Sequence, residues 1–244
     1  ARTFLLNALL ARQRGWRMIF RMEDLDGPRV KQEAIRQAID DLAWLALRWD
    51  GPMVRQSLRH EAYQAALRQL IDAGLAYPCT CTRRDIEQAA SAPHADGQGT
   101  PYPGTCRGRW ESARQAERET GRPPAWRVFS PAEPIAVDDA FAGRHVFHLD
   151  RTCGDFVIFR KQGLAAYQLA VVVDDAAAGV DEILRGHDLL ESAAQQLHLR
   201  RLLGLEPAVR YWHVPLVTGP DGRRLAKRHG DTRIDHYREL GCPP

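Results

Sequence analysis

No stretch of this 244-residue chain is apolar for long enough to cross a bilayer as a helix. The longest apolar run, Leu164 to Val173, is far short of a span and is broken by Tyr167 and Gln168. Ala1 to Arg14 carries an apolar stripe but lacks the layout of a secretory signal. Internal repeats and low-complexity segments are also missing, which excludes solenoid and disordered classes. Cysteine is scarce, at five residues: Cys79, Cys81, Cys106, Cys153 and Cys242. An odd count without a secretory signal argues against a disulfide framework. Together these absences lead to the expectation of a cytoplasmic globular protein. The net charge of +3 is mild and does not by itself call for nucleic acid. Arginine is heavily used, however, so a local basic face can still meet phosphates.

The length allows a substantial core, in one large domain or one domain with a sizeable insertion. The chain opens without methionine, directly in a helical pattern, and stops at Pro244 just after another helix begins. The expectation is that residues are missing at both ends. Phe4, Leu5, Ala8, Leu9 and Arg12 define a helical face that Gly15 ends. Trp16 to Met22 reads as a strand closing on Glu23-Asp24-Leu25-Asp26, and Gly27-Pro28 breaks the chain. Two helices follow, one from Val30 to Leu45 and one from Glu61 to Ala73, the second capped by Gly74.

From Ala76 to about Asp150 the chain turns rich in Pro, Gly, Cys and Arg and loses periodic apolar runs. This predicts an insertion held by something other than a large core. Strands are expected at Asp155–Phe159, Gln168–Asp174, Glu182–Arg185 and Tyr211–Val217, with a long helix over Leu189–Leu203. The order predicts an α/β fold with a Rossmann-like, doubly wound parallel sheet. Residues 1–75 and 151–244 form its two parts, and residues 76–150 the interruption.

Cys79-Thr80-Cys81 and the later Cys106 place three soft thiolates on a loop-rich segment, a set suited to a tetrahedral structural zinc. The competing reading is ordinary buried cysteines. Chemistry leaves the fourth ligand open. His94 completes a common three-Cys-one-His set, whereas Tyr102 lies in the turn that presents Cys106. A phenol titrates near ~10, so a zinc-bound tyrosinate needs the metal to lower that value. Cys153 and Cys242 have no such company.

Glu23 lies at a strand end, where α/β sheets form their ligand crevices, and a carboxylate there can receive an ammonium group. A plain surface cap fits the same segment. Asp24 and Asp26 form an Asp-x-Asp pair able to hold magnesium, a weak signal. Arg185, before Gly186, can clamp a carboxylate with its planar fork, or simply pair with Asp188. Gly219-Pro220-Asp221-Gly222 is a turn, and Arg223 to Arg228 follow it as a cationic loop suited to a triphosphate. A solvated basic loop is the bland alternative.

Taken together, these blocks resemble class I aminoacyl-tRNA synthetases of the glutamyl type. Ala1 to Asn7 is similar to the helix after the family's His-Ile-Gly-His motif. Arg21 to Asp26 is similar to its Arg-Ile-Glu-Asp-Thr-Asp block, and Arg224 to Arg228 stands at its Lys-Met-Ser-Lys-Ser loop. Cys-Thr-Cys followed by Tyr102-Pro103-Gly104-Thr105-Cys106-Arg107, and Ala166 to Asp175, resemble a shortened branch of the family. That branch joins glutamate to the queuosine base of tRNA(Asp) and has no anticodon-binding domain.

The resemblance implies activation of glutamate by ATP with Mg2+, then transfer to tRNA(Asp) bearing queuosine, by a monomer. It makes Glu23, Tyr167 and Arg185 glutamate-binding residues, with Glu23 on the ammonium and Arg185 on the side-chain carboxylate. It gives Lys227 the ATP phosphates and the departing pyrophosphate. It makes Cys79, Cys81, Tyr102 and Cys106 the zinc ligands, in place of a set with His94. The missing first strand and nucleotide motif imply poor ATP binding by this stretch alone. Arg224 and Ala226 replace a lysine and a serine of the phosphate loop, which implies slower adenylation. Two other readings stay open: part of an ordinary glutamyl-tRNA synthetase, and an inactive paralogue that binds RNA or metal.

Overall fold

The computed structural model describes residues 2–25, 32–89, 100–219 and 234–243. Its elements in chain order are helix α1 (Arg2–Arg14), strand β1 (Arg21–Met22), α2 (Gln32–Trp44), β2 (Val54–Arg55), α3 (His60–Asp72) and β3 (Ala76–Cys79). Then come α4 (Arg83–Ala89), α5 (Ala113–Thr120), β4 (Ala125–Val128), β5 (Ile135–Asp139), β6 (Gly143–Phe147), α6 (Leu149–Thr152) and β7 (Phe156–Phe159). The chain continues with α7 (Tyr167–Ala177), β8 (Glu182–Gly186), α8 (Leu190–Leu203), β9 (Arg210–Val214) and α9 (Ile234–Glu239). No described helix is long and apolar enough to cross a membrane.

The sheets are mixed. β1 and β2 pair in parallel, with Arg21 opposite Val54. Strands β3, β4 and β7 form an antiparallel sheet in that order, with Cys79 opposite Ala125 and Trp126 opposite Phe159. A four-stranded sheet has the order β6-β5-β9-β8; β5 pairs with β6 antiparallel and with β9 in parallel, through Asp139 and Tyr211.

The chain divides into two compact units. The first holds residues 1–58, 184–189 and 212–244, and the second holds 59–183 and 190–211. In the second, α3 buries Tyr63, Ala66, Leu67 and Leu70, the one-face spacing its sequence carries. Each such leucine contributes about 1.5–3 kcal/mol by leaving water.

Three local expectations change. The strand foreseen over Trp16–Met22 is confined to Arg21–Met22. The described residues of 76–150 contain three short helices and four strands, far more regular backbone than their composition indicates. The strand expected at Gln168–Asp174 is instead the body of helix α7. Its Leu-Ala-Val-Val-Val run suits a strand locally, but Leu169, Ala170, Val171 and Val172 are all buried, so the helix has no polar face to give a periodic signal. Asp174 is buried with them, accepting from Arg59 Nε at 2.5 Å and from Tyr63 Oη at 2.8 Å. These partners offset the cost of a buried carboxylate.

Candidate metal centre and substrate residues

β3 delivers Cys79 at its last residue, and Cys81 follows two positions on. The next turn is locked before α4: Thr82 N–H donates to Asp85 Oδ2 at 2.7 Å and Asp85 N–H to Thr82 Oγ1 at 3.2 Å. Tyr102 enters from the other side, its N–H donating to the Cys153 carbonyl at 3.0 Å. The Pro103-Gly104 turn then carries the chain back, so that Cys106 N–H reaches Tyr102 Oη at 2.8 Å.

The result is a compact set of donors. The three sulfurs lie within 4.8 Å of one another. Cys81 and Cys106 Sγ are 3.4 Å apart, and Tyr102 Oη is 3.4 Å from Cys79 Sγ and 3.8 Å from Cys81 Sγ. A zinc tetrahedron with Zn–S near 2.3 Å and Zn–O near 2.0 Å has edges of roughly 3.5–3.8 Å. The donor chemistry suits a four-coordinate zinc, and three of the separations lie close to those edges. Cys153 and Cys242 stand outside the cluster, as expected. His94 lies outside the described residues.

With protons alone, the cluster is electrostatically awkward. The Cys106 thiol donates to Cys79, and this bond, aided by Tyr102 and Arg127 against the effect of burial, draws the Cys79 thiol down to about 4. The other groups are pushed the opposite way. Cys106 rises through its bond to Cys79 and through burial, Cys81 through burial and the Cys79 charge, and Tyr102 chiefly through burial. One negative charge is favoured and further ones are resisted, a conflict that a divalent cation removes.

Around the donors sits a small core of Tyr77, Trp110 and Ala116, with Ile86 and Phe129 packed on it. Asp155 ties it together from below. Its carboxylate accepts from Arg107 Nε and Nη2 at 2.5 Å each, from the Tyr77 hydroxyl, and from Ser130 N–H at 2.8 Å. Burial raises the affinity of Asp155 for a proton, but those donors outweigh it and hold the carboxyl below its usual range. Sequence reasoning missed Asp155, Arg107 and Arg127. They are spaced along three segments, and nothing local marks them as neighbours of the thiols.

In the first unit, Glu23 follows β1 directly, and its exposed carboxylate pairs with Arg21 Nη2 at 3.1 Å. Such a pair is worth little and is readily exchanged for a ligand. Asp24 is buried beside it and fully engaged. Arg55 Nε and Nη2 donate to it at 3.1 and 3.0 Å, and Ser57 donates through N–H at 2.8 Å and Oγ at 2.7 Å. Burial opposes the charge on Asp24, yet these donors keep its carboxyl below the ordinary range. A role for Asp24 in an Asp-x-Asp magnesium pair competes with those four bonds; Asp26 lies outside the described residues.

Arg185, on β8, donates from Nε to His213 Nε2 at 2.9 Å and from Nη2 to the Leu189 carbonyl at 3.2 Å. His213, on β9, is fully buried. It is a further residue that sequence reasoning missed, since a single histidine in an apolar strand carries no motif. Tyr167, the first residue of α7, belongs to the second unit. Lys227, Arg224 and Ala226 lie outside the described residues.

The whole chain, residues 1–244, matches the family of class I tRNA synthetases for glutamate and glutamine (E and Q), catalytic domain. The chain belongs to this family, and so to the ATP-dependent ligases. It is 49% identical to a glutamyl-Q tRNA(Asp) synthetase of Rhodopirellula baltica, over 100% of this chain and 76% of the relative. A protein of the same name from Nocardia farcinica is 47% identical over 100% of this chain and 75% of its own length. A crystal structure of a glutamate tRNA ligase from Elizabethkingia meningosepticum, in complex with its amino acid, superposes with a TM-score of 0.78 at 26% identity. That match covers 94% of this chain, which spans about half (49%) of the ligase.

Proposed function

We propose that the protein activates glutamate with ATP, without needing tRNA, and transfers the glutamyl group to the queuosine base of tRNA(Asp). The observation that carries this reading is the near-half identity, along the whole chain, to proteins named glutamyl-Q tRNA(Asp) synthetase. Identity to proteins named glutamate tRNA ligase is lower, 38% over the whole chain for one and 26% for another, although the fold is shared.

In this reading an α-carboxylate oxygen of glutamate attacks the α-phosphorus of ATP. The bond to the β-phosphate breaks, pyrophosphate leaves, and a glutamyl-adenylate forms. Attack by the base on the adenylate carbonyl then releases AMP. No protein nucleophile is needed, so catalysis is positioning and charge stabilisation. Glu23 exchanges its weak Arg21 partner for the substrate ammonium. Arg185, aimed by His213, clamps the side-chain carboxylate, and Tyr167 lines the amino-acid site. Lys227 holds the ATP phosphates and the developing charge on pyrophosphate, with Mg2+ accompanying ATP.

Residues 76–150 are the zinc-bearing insertion between two parts of a Rossmann-like, doubly wound core, 1–75 and 151–244. Cys79, Cys81, Tyr102 and Cys106 would hold a structural Zn2+, which fastens the insertion and takes no part in the chemistry. A cytoplasmic monomer completes the reading.

The test is glutamate-dependent ATP–pyrophosphate exchange by the gene's full product, with and without tRNA. Exchange without tRNA, followed by glutamate incorporation into queuosine-containing tRNA(Asp), is the expected result. Exchange that requires tRNA would point to an ordinary glutamyl-tRNA synthetase. Its complete absence would leave a binding paralogue.

A further inference from the structure

Arg127, on β4, is a buried cation, 8% exposed. Its Nε donates to Cys79 Sγ at 3.3 Å, and Nη1 donates to the Asp155 backbone carbonyl at 2.5 Å. Its guanidinium carbon lies 3.8 Å from the centre of the Tyr102 ring. Among the described residues no carboxylate forms an ion pair with Arg127. The carboxylate of Asp155 is taken by Arg107, Tyr77 and Ser130 instead. A buried guanidinium is costly unless an anion faces it. What faces Arg127 is the sulfur of one candidate zinc ligand and the phenol ring of another.

This placement resolves a question of charge. Zinc held by three thiolates and a neutral imidazole is a monoanion; replace the imidazole by a phenolate and it is a dianion. The extra charge needs a cation close by, and the ring must be held correctly turned. A flat guanidinium over the ring supplies both, because its attraction to the ring face grows when the phenol becomes a phenolate. Its Nε bond to Cys79 meanwhile offsets charge on a thiolate, the usual task of a group behind a metal ligand.

We propose that Arg127 is the positioning residue of the metal centre: it orients Tyr102 and compensates its charge, so that phenolate oxygen completes the zinc tetrahedron. The proposal rests on the zinc reading above, and the experiment separates the two. Zinc affinity is measured by competition with a chromophoric chelator for the full chain and for Arg127→Met, Arg127→Lys, Tyr102→Phe, His94→Ala and the Arg127→Met/Tyr102→Phe double variant. X-ray absorption at the zinc edge reports the ligand atoms.

Wild type should hold stoichiometric zinc with three sulfurs and one oxygen. Arg127→Met should weaken binding by about 10–100-fold, the range for a group supporting a ligand, and by only ~3-fold when Tyr102 is already phenylalanine. Arg127→Lys keeps the charge but loses the stacked plane, and should still lose roughly 10-fold with unchanged circular dichroism. That variant decides the matter if Arg127→Met does not fold. Equal losses from Arg127→Met in both tyrosine and phenylalanine backgrounds would show a merely structural role and overturn the proposal, as would wild-type affinity in Arg127→Lys. Wild type without stoichiometric zinc would overturn the zinc reading itself. Tight zinc in Tyr102→Phe with loss in His94→Ala would give the fourth position to His94 and leave Arg127 no phenolate to serve.

Discussion

Arg185 sits half-buried on β8, and its Nε can donate to His213 Nε2 only if that nitrogen carries a lone pair. His213 accepts that bond from a fully buried position. A side chain that long has many rotamers, and the bonds to His213 and to the Leu189 carbonyl remove most of them. If Arg185 binds the side-chain carboxylate of glutamate, His213 acts through it. His213→Ala should then raise the KM for glutamate by about 10-fold, the worth of a hydrogen bond to a charged group, with kcat nearly unchanged. His213→Gln supplies an acceptor oxygen and should restore most of the affinity. Glutamate titrations in the exchange assay check both. Equal losses of kcat in the two variants would mean that His213 only fills space.

At the scale of elements, the contact between Gly154 and the segment carrying Tyr102 shows how the ligand turn is fixed. Gly154 has φ of +64°, and a Cβ built there falls 2.3 Å from the Tyr102 carbonyl oxygen and 2.9 Å from its nitrogen. Gly154→Ala would have to push the Tyr102 segment off its isolated bridge to Gly154, on top of the backbone strain. Gly143, at the start of β6, has φ of +84° but nothing within 4 Å of its Cβ position. Urea denaturation should find Gly143→Ala costing about 1 kcal/mol from strain alone, and Gly154→Ala at least ~3 kcal/mol, with loss of zinc. Similar costs at both positions would deny the steric role.

The same elements show which parts of the fold the sequence exposes. α3 was legible because its buried side chains keep helical spacing with a wet face opposite. α7 was not, because burial on every side erases the period and leaves three β-branched valines to imitate a strand. The three cysteines were legible as a cluster that could hold a metal. Tyr102 needed a family resemblance, and Arg127 needed coordinates: an arginine inside Ala-Trp-Arg-Val reads as the polar side of a strand, not as the neighbour of a sulfur 48 positions away.

For the molecule as a whole, the proposed zinc should support one compact unit and not the other. The candidate ligands and the small core around them lie in the unit of residues 59–183 and 190–211. Without the cation, one negative charge on Cys79 is favoured while Cys81, Cys106 and Tyr102 resist ionising, and the core of Tyr77, Trp110 and Ala116 loses its central tie. Structural zinc contributes directly to folding free energy where the local core is small. The first unit has its own supports, including the Asp24–Arg55–Ser57 cluster and the buried Ile35 and Leu42 of α2. Hydrogen exchange read by mass spectrometry after chelation should therefore show protection in β3, β4 and α5 falling by roughly 10-fold or more. Amides of α1 and α2 should keep theirs. Uniform loss across both units would mean that the metal holds up the entire chain, and unchanged protection in β3 would mean that it holds up nothing.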